Sequence, residues 1–112
     1  MEIQVGEYIR TDNGMIFKVL EVEKGSVKIK SDYREWIGIC CIVKHSFNII
    51  DLIEENDYVN GKRVVYVASI ENKNDEEELC VFVEETQDCI EAQNIKSIVT
   101  KEVMKSVEYR VN

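Results

Sequence analysis

Proline is absent from the 112 residues, and Leu and Ala together number only five. Without Pro or a Ser/Gly-rich stretch, nothing in the chain reads as a linker between separate domains. The shortage of Leu and Ala excludes a helical bundle or a coiled coil. No apolar run approaches the ~20 residues of a membrane-spanning helix, so no membrane partner is expected. The opening Met1-Glu2-Ile3-Gln4-Val5-Gly6 has no basic segment followed by an apolar one, so a secretory leader is not expected. Basic residues are also in deficit: 14 Lys and Arg stand against 22 Asp and Glu, a net charge of −8. An acidic chain gains little from counterion release, which argues against direct nucleic-acid binding. What the chain does hold is Ile and Val, 29 in all. β-Branched side chains suit a pleated surface, so the composition predicts a mainly β protein.

The order of parts repeats. Gly6-Glu7-Tyr8-Ile9-Arg10-Thr11-Asp12-Asn13-Gly14 precedes an alternating run over 15–23, and Asn56-Asp57-Tyr58-Val59-Asn60-Gly61 precedes a second run over 62–70. Ile42-Val43-Lys44-His45-Ser46 aligns with Ile98-Val99-Thr100-Lys101-Glu102, each reading as a strand end, one helical turn and a closing strand. Ser46 or Thr100 would cap the turn. The predicted strands are 8–10, 15–23, 26–30, 35–43 and 51–54, then 57–59, 63–70, 79–85, 88–92 and 107–111. Lys24-Gly25 and Asn72-Lys73-Asn74-Asp75 supply hairpin turns. Five short strands with a helical turn before the last is the order of an SH3-like barrel. Two tandem barrels are therefore expected, over 1–54 and 55–112. Each is marginal alone, so the two should pack as one unit, with homodimerisation left open.

The opening Val5-Gly6-Glu7-Tyr8-Ile9-Arg10-Thr11 with Gly14 resembles the first strand of KOW-type and other SH3-like modules. With 42–46, 48–54, Asp57-Tyr58-Val59-Asn60-Gly61, 95–102 and 108–111, the chain resembles small accessory proteins encoded by phages and prophages of Firmicutes. That group typically carries Pro where this chain has Phe47. The resemblance implies a viral accessory gene acting in the host cytoplasm, where small proteins of this kind inhibit host defence, CRISPR effectors included. It implies no chemistry.

Charge is unevenly spread. Residues 1–50 hold seven basic and seven acidic side chains, whereas 51–112 hold seven and fifteen. The densest stretch contains Glu71, Asp75, Glu76, Glu77, Glu78, Glu84, Glu85, Asp88 and Glu91 against Lys73 alone. On a hairpin these carboxylates could occupy the basic nucleic-acid channel of a host protein, with salt-sensitive association. The alternative is a solubilising surface that protects strand edges. Tyr33, Arg34 and Trp36, in an expected loop, have the composition of a binding hot spot, unless Trp36 plugs the barrel. The partner-binding set is thus Glu71, Asp75, Glu76, Glu77, Glu78, Glu84 and Glu85 with Tyr33, Arg34 and Trp36.

Catalytic and metal motifs are missing. His45 is the single histidine, and a Cys41–His45 pair is the one nucleophile arrangement that can be drawn. The cysteines Cys40, Cys41, Cys80 and Cys89 form no C-x-x-C pair, and adjacent strand cysteines face opposite ways. They read as reduced, small apolar residues. Asp75–Glu78 lacks the glycine and ligand spacing of a Ca²⁺ loop. No enzyme activity, metal or cofactor is expected. Two further readings stay open: a nucleotide-binding sponge using Arg34, Arg63 and Arg110 with Trp36, and an RNA-associated module using Lys28, Lys30 and Arg34.

Overall fold

The computed structural model describes residues 2–29, 36–71, 73–85 and 89–107. The chain divides into two compact units, Met1–Leu52 and Ile53–Asn112.

In the first unit the strands are β1 (Tyr8–Thr11), β2 (Ile16–Lys18), β3 (Glu21–Glu23), β4 (Ser26–Lys28), β5 (Trp36–Gly38) and β6 (Ile42–Ser46). They form two antiparallel sheets, ordered β2-β1-β6 and β3-β4-β5. Glu23 pairs with Ser26, so Lys24-Gly25 closes the hairpin, and Gly25 takes the positive φ of +86° that the turn requires. Ile3, Ile9, Val19, Val27 and Ile42 make the core, with Phe17, Ile29, Ile37 and Ile39 packed against it. Arg10 lies fully buried at the centre of β1 and donates from Nη1 to the Leu52 carbonyl at 2.9 Å.

In the second unit β7 (Tyr58–Val59), β8 (Lys62–Glu71), β9 (Glu77–Val83), β10 (Cys89–Glu91) and β11 (Ile98–Val99) form one antiparallel sheet, ordered β10-β9-β8-β7-β11. Helix α1 (Lys101–Val107) follows. Val59, Val64, Cys80, Val81 and Val83 are buried, as are Asp57 and Thr100.

The protein is mainly β, but among the described residues no sheet closes into a barrel. In the first unit the run over 15–23 changes partners midway. The Val19 N–H bonds the Glu7 carbonyl, while the Leu20 N–H bonds the Lys28 carbonyl. One expected strand becomes two, in separate sheets. In the second unit β10 and β11 are the two edges of an open sheet among the described residues.

The helical turns also move. Ile39–Cys41 is a 3-10 turn that interrupts the strand expected over 35–43 and precedes β6. The strand expected at 51–54 is instead a 3-10 turn, Ile49–Leu52. Ser46 Oγ accepts the Asn48 N–H and Asn48 Oδ1 accepts the Ile50 N–H. Such local side-chain bonds end a strand and start a turn. The strand expected over 107–111 begins at the last residue of α1, and its remainder lies outside the described residues.

The Gly6-Glu7-Tyr8 and Asn56-Asp57-Tyr58 segments fold alike. Gly6 has φ +94° and Asn56 has φ +73°. Glu7 and Asp57 each accept a backbone N–H three residues back, Gln4 at 2.7 Å and Glu54 at 2.8 Å. The N–H groups of Gly6 and Asn56 bond the carbonyls of Val19 and Val64, and the N–H groups of Val19 and Val64 bond the carbonyls of Glu7 and Asp57. The later alignment slips by three residues. Ser46 stands opposite Tyr8 and Val99 opposite Tyr58, so Lys101 corresponds in register to Asn48, not to His45.

Cysteine chemistry differs from expectation as well. Cys80 on β9 and Cys89 on β10 are joined by a disulfide with Cα atoms 5.7 Å apart. Antiparallel pairing of the two strands brings them within the bridging range, which linear spacing alone does not reveal. Alkylation under denaturing, non-reducing conditions should therefore label two thiols, and four after reduction. Replacing both Cys80 and Cys89 by serine should cost about 2–3 kcal/mol through loss of loop closure, read as a lower urea midpoint. The fold should survive, because β8 and β9 pair along nearly their full length without the bridge. An unchanged midpoint would assign the bridge no role in stability.

Candidate functional site

The β8–β9 hairpin carries half of the expected binding residues, Glu71, Asp75, Glu76, Glu77 and Glu78. Glu71 ends β8 and Glu77 begins β9, and the register sets them directly opposite one another. Asp75 sits in the turn at φ +59°, and Glu76 is exposed beside it. Glu78 pairs with Ile70 and is half-buried. Ile70, Glu71, Lys73, Asn74, Glu78 and Glu91 line a shallow depression of about 460 Å³. Farther down the hairpin, Tyr66 is 45 % exposed and stacks on Phe82 with ring centroids 4.5 Å apart. Acids at the tip and an open aromatic pair below therefore share one hairpin.

Not every expected residue belongs to this surface. Glu84 is committed to an ion pair: its Oε2 accepts from Nε and Nη2 of Arg63, both at 3.1 Å. Glu85 is exposed, and its φ of +69° is unusual for a residue with a Cβ. Trp36 starts β5 opposite Lys28 and is 38 % exposed, so it is a strand residue at the surface and not a barrel plug. Tyr33, Arg34, Lys30, Asp88 and Arg110 lie outside the described residues. Of the remaining RNA-reading residues, Lys28 is 3.7 Å from Glu21.

The Cys41–His45 pair is not assembled. His45 Nδ1 donates to Glu7 Oε1 at 2.9 Å. Cys40 and Cys41 lie in a 3-10 turn and not a strand, so their sulfurs approach to 3.9 Å in place of facing apart. Interaction with the Cys40 thiol, first by hydrogen bonding, pushes the Cys41 thiol above its ordinary pKa. A raised pKa lowers the thiolate fraction at neutral pH. Among the described residues no group of three His, Cys, Asp or Glu is placed to hold a metal ion.

Burial opposes ionisation of Glu7, but the Gln4 N–H and the His45 side chain outweigh it, and its pKa falls below the ordinary value of 4.5. A depressed carboxylate stabilises the fold above its unfolded pKa, and that stabilisation is lost as pH falls through the folded value. Glu7→Gln should therefore lower the urea midpoint at neutral pH, and the gap to the wild type should close in acid below about pH 4.5. A gap independent of pH would trace the effect to shape alone.

A second constellation lies between β7, β8 and α1. Asn56, Tyr58, Arg63, Lys101, Met104, Lys105 and Val107 line an open cavity of about 520 Å³. Arg63 Nη1 donates to Asn56 Oδ1 at 2.9 Å, and Lys101 Nζ donates to Glu54 Oε1 at 2.7 Å. The Glu54 hydrogen bond is the main reason the Lys101 pKa lies above 10.5, so the ammonium is charged at neutral pH. Sequence reasoning singled out Arg63 but missed Lys101 and Lys105. Their spacing of four residues was the available signal, since it places both on one face once the segment is helical. No family model matches the chain, and no curated protein or solved structure gives a significant match.

Proposed function

We propose that the protein is a non-enzymatic binding protein that uses its acidic β8–β9 hairpin to occupy a basic, nucleic-acid-binding surface on a host protein. The observation that carries this reading is the pairing of Glu71 with Glu77 at the hairpin end, next to Asp75 and Glu76. Like charges directly opposite in a sheet are destabilising. The fold bears that cost where a protruding tip would present carboxylates to a partner. The exposed Tyr66, stacked on the half-buried Phe82, supplies the aromatic anchor that acid-driven encounter alone lacks. The class of target, a host defence complex, comes from the resemblance to phage accessory proteins. So does the host cytoplasm as the place of action, where the Cys80–Cys89 bridge would have to be dispensable. The engagement of His45 by Glu7 and the raised Cys41 pKa support a non-catalytic role.

We also infer that the two units are diverged copies of one SH3-like module. The twice-built turn supports this, as does the shared order of a 3-10 turn, Ile39–Cys41 or Ala92–Asn94, before the strand that pairs with β1 or β7.

The test is an affinity capture from host lysate with the wild type and the Glu76→Lys, Glu77→Lys, Glu78→Lys variant. The wild type should retain a nucleic-acid-binding complex at low salt and release it as ionic strength rises toward about 1 M. The variant should fold and retain none of it. Capture of the same proteins by the folded variant would overturn the acidic-hairpin mechanism.

A further inference from the structure

We infer that Tyr58, Arg63, Lys101 and Lys105 form a binding site for a nucleoside monophosphate, a phosphate ester carried on a flat ring system. This goes beyond the hairpin reading and does not depend on it. The argument starts from charge. Residues 51–112 hold fifteen acids and seven bases, yet three of those bases converge on one cavity where no acid lies among the described lining residues. Two of the three are held in place by carboxylates outside the lining, Lys101 by Glu54 and Arg63 by Glu84. Their charged groups are thus positioned before any ligand arrives, which reduces the ordering cost of binding. Lys105 makes no ion pair among the described residues and follows Lys101 by four positions on α1. It is the cation most available to a new anion.

The first unit shows what is particular about this site. There Tyr8 pairs with Lys18, whose Nζ lies 5.7 Å from the centroid of the tyrosine ring. In the second unit the matching pair is Tyr58 and Arg63. Arg63 is drawn to Glu84 and Asn56, and Tyr58 borders the cavity together with Met104 and Val107. An aromatic ring, a thioether and an isopropyl group beside three cations match a ligand with one flat apolar end and one anionic end. The volume of about 520 Å³ lies within the range of small-molecule sites, ~300–1,000 Å³. The net charge of −8 disfavours a polyanion by long-range repulsion, while a small anion can be held by short-range contacts.

The experiment is titration calorimetry of the full chain with the four nucleoside monophosphates, with the corresponding nucleosides and with inorganic phosphate. At least one monophosphate should bind, and its nucleoside and phosphate alone should each bind at least about tenfold more weakly. Lys105→Glu, at an exposed position with no ion pair to break among the described residues, should fold normally and weaken the monophosphate at least about tenfold. The Glu76→Lys, Glu77→Lys, Glu78→Lys variant should bind it as the wild type does, which separates this site from the hairpin. Equal binding of the nucleoside would overturn the anion contacts, and equal binding of inorganic phosphate would overturn the ring contacts. Absence of heat for all four monophosphates, or full affinity in Lys105→Glu, would overturn the site itself.

Discussion

Arg10→Ala is expected to lower the stability of the protein by about 3–4 kcal/mol, a large share of the 5–15 kcal/mol that holds a domain of this size. Among the described residues Arg10 is the largest side chain with no solvent exposure. It sits in mid-strand, paired with Ile16 on one side and Lys44 on the other, so the central strand of the β2-β1-β6 sheet is built over it. Truncation has two separable costs. The Leu52 carbonyl, on a fully buried residue, loses the 2.9 Å bond from Nη1, and an unsatisfied buried acceptor costs about 1–3 kcal/mol. The vacated volume adds a cavity term of about 2 kcal/mol where the surroundings relax only partly. Arg10→Met separates the two, since it refills much of the space and donates nothing. It should lose only about 1–2 kcal/mol, because removing the buried charge also removes its desolvation cost. Urea denaturation followed by far-ultraviolet circular dichroism reads both variants. A loss under about 1 kcal/mol for Arg10→Ala would mean that the guanidinium does not organise this unit.

That Arg10 would be buried was not legible in the sequence. Arginine is among the residues least often buried, and nothing in the segment Tyr8-Ile9-Arg10-Thr11 marks its charge as facing inward. What was legible depended on local signals. The continuous β-branched and aromatic runs within 62–70 and 79–85 marked β8 and β9, because long strands average out local ambiguity. Lys24-Gly25 marked its hairpin, because only a residue free to take positive φ fits there easily. The turn shared by Gly6-Glu7-Tyr8 and Asn56-Asp57-Tyr58 was visible as a repeat because its residues bond mostly to one another and to the next strand. Features set by register were not legible. The Cys80–Cys89 bridge, the partner switch at Val19 and Leu20, and the convergence of Arg63 with Lys101 and Lys105 all join residues through strand pairing or helix phase. The three-residue slip that aligned His45 with Lys101 shows the same limit. Ile-Val occurs in both segments, and side-chain identity alone could not tell which residue would face Tyr58.

Asp57→Ala is the second large loss, about 3 kcal/mol, and it should reach the cavity as well as the fold. Asp57 is fully buried, and its two carboxylate oxygens divide their work. Oδ2 accepts the Glu54 N–H at 2.8 Å and closes the turn into β7, while Oδ1 accepts the Lys101 N–H at 2.9 Å and fixes the start of α1. The Lys101 ammonium then returns to the Glu54 carboxylate at 2.7 Å. One buried acid therefore ties together the two segments whose side chains form that ion pair, and removing it strands two amides at about 1–3 kcal/mol each before relaxation. Asp57→Asn should cost less, because its single amide oxygen can still accept one of the two N–H groups while its NH₂ faces the other. Native-state hydrogen exchange distinguishes this arrangement from simple packing. In Asp57→Asn the amide of Glu54 or Lys101 should lose protection by at least about tenfold beyond the change in global stability. Val64 and Val81, in the body of the sheet, should follow global stability alone. If the Glu54 and Lys101 amides kept their protection, the carboxylate would not be what holds them. The placement of Lys101 beside Arg63 and Lys105 would then rest on α1 packing, and the nucleoside monophosphate affinity of Asp57→Asn should match the wild type. If protection falls and affinity falls with it, a single buried carboxylate sets both the turn that starts the second sheet and the cation that faces the ligand.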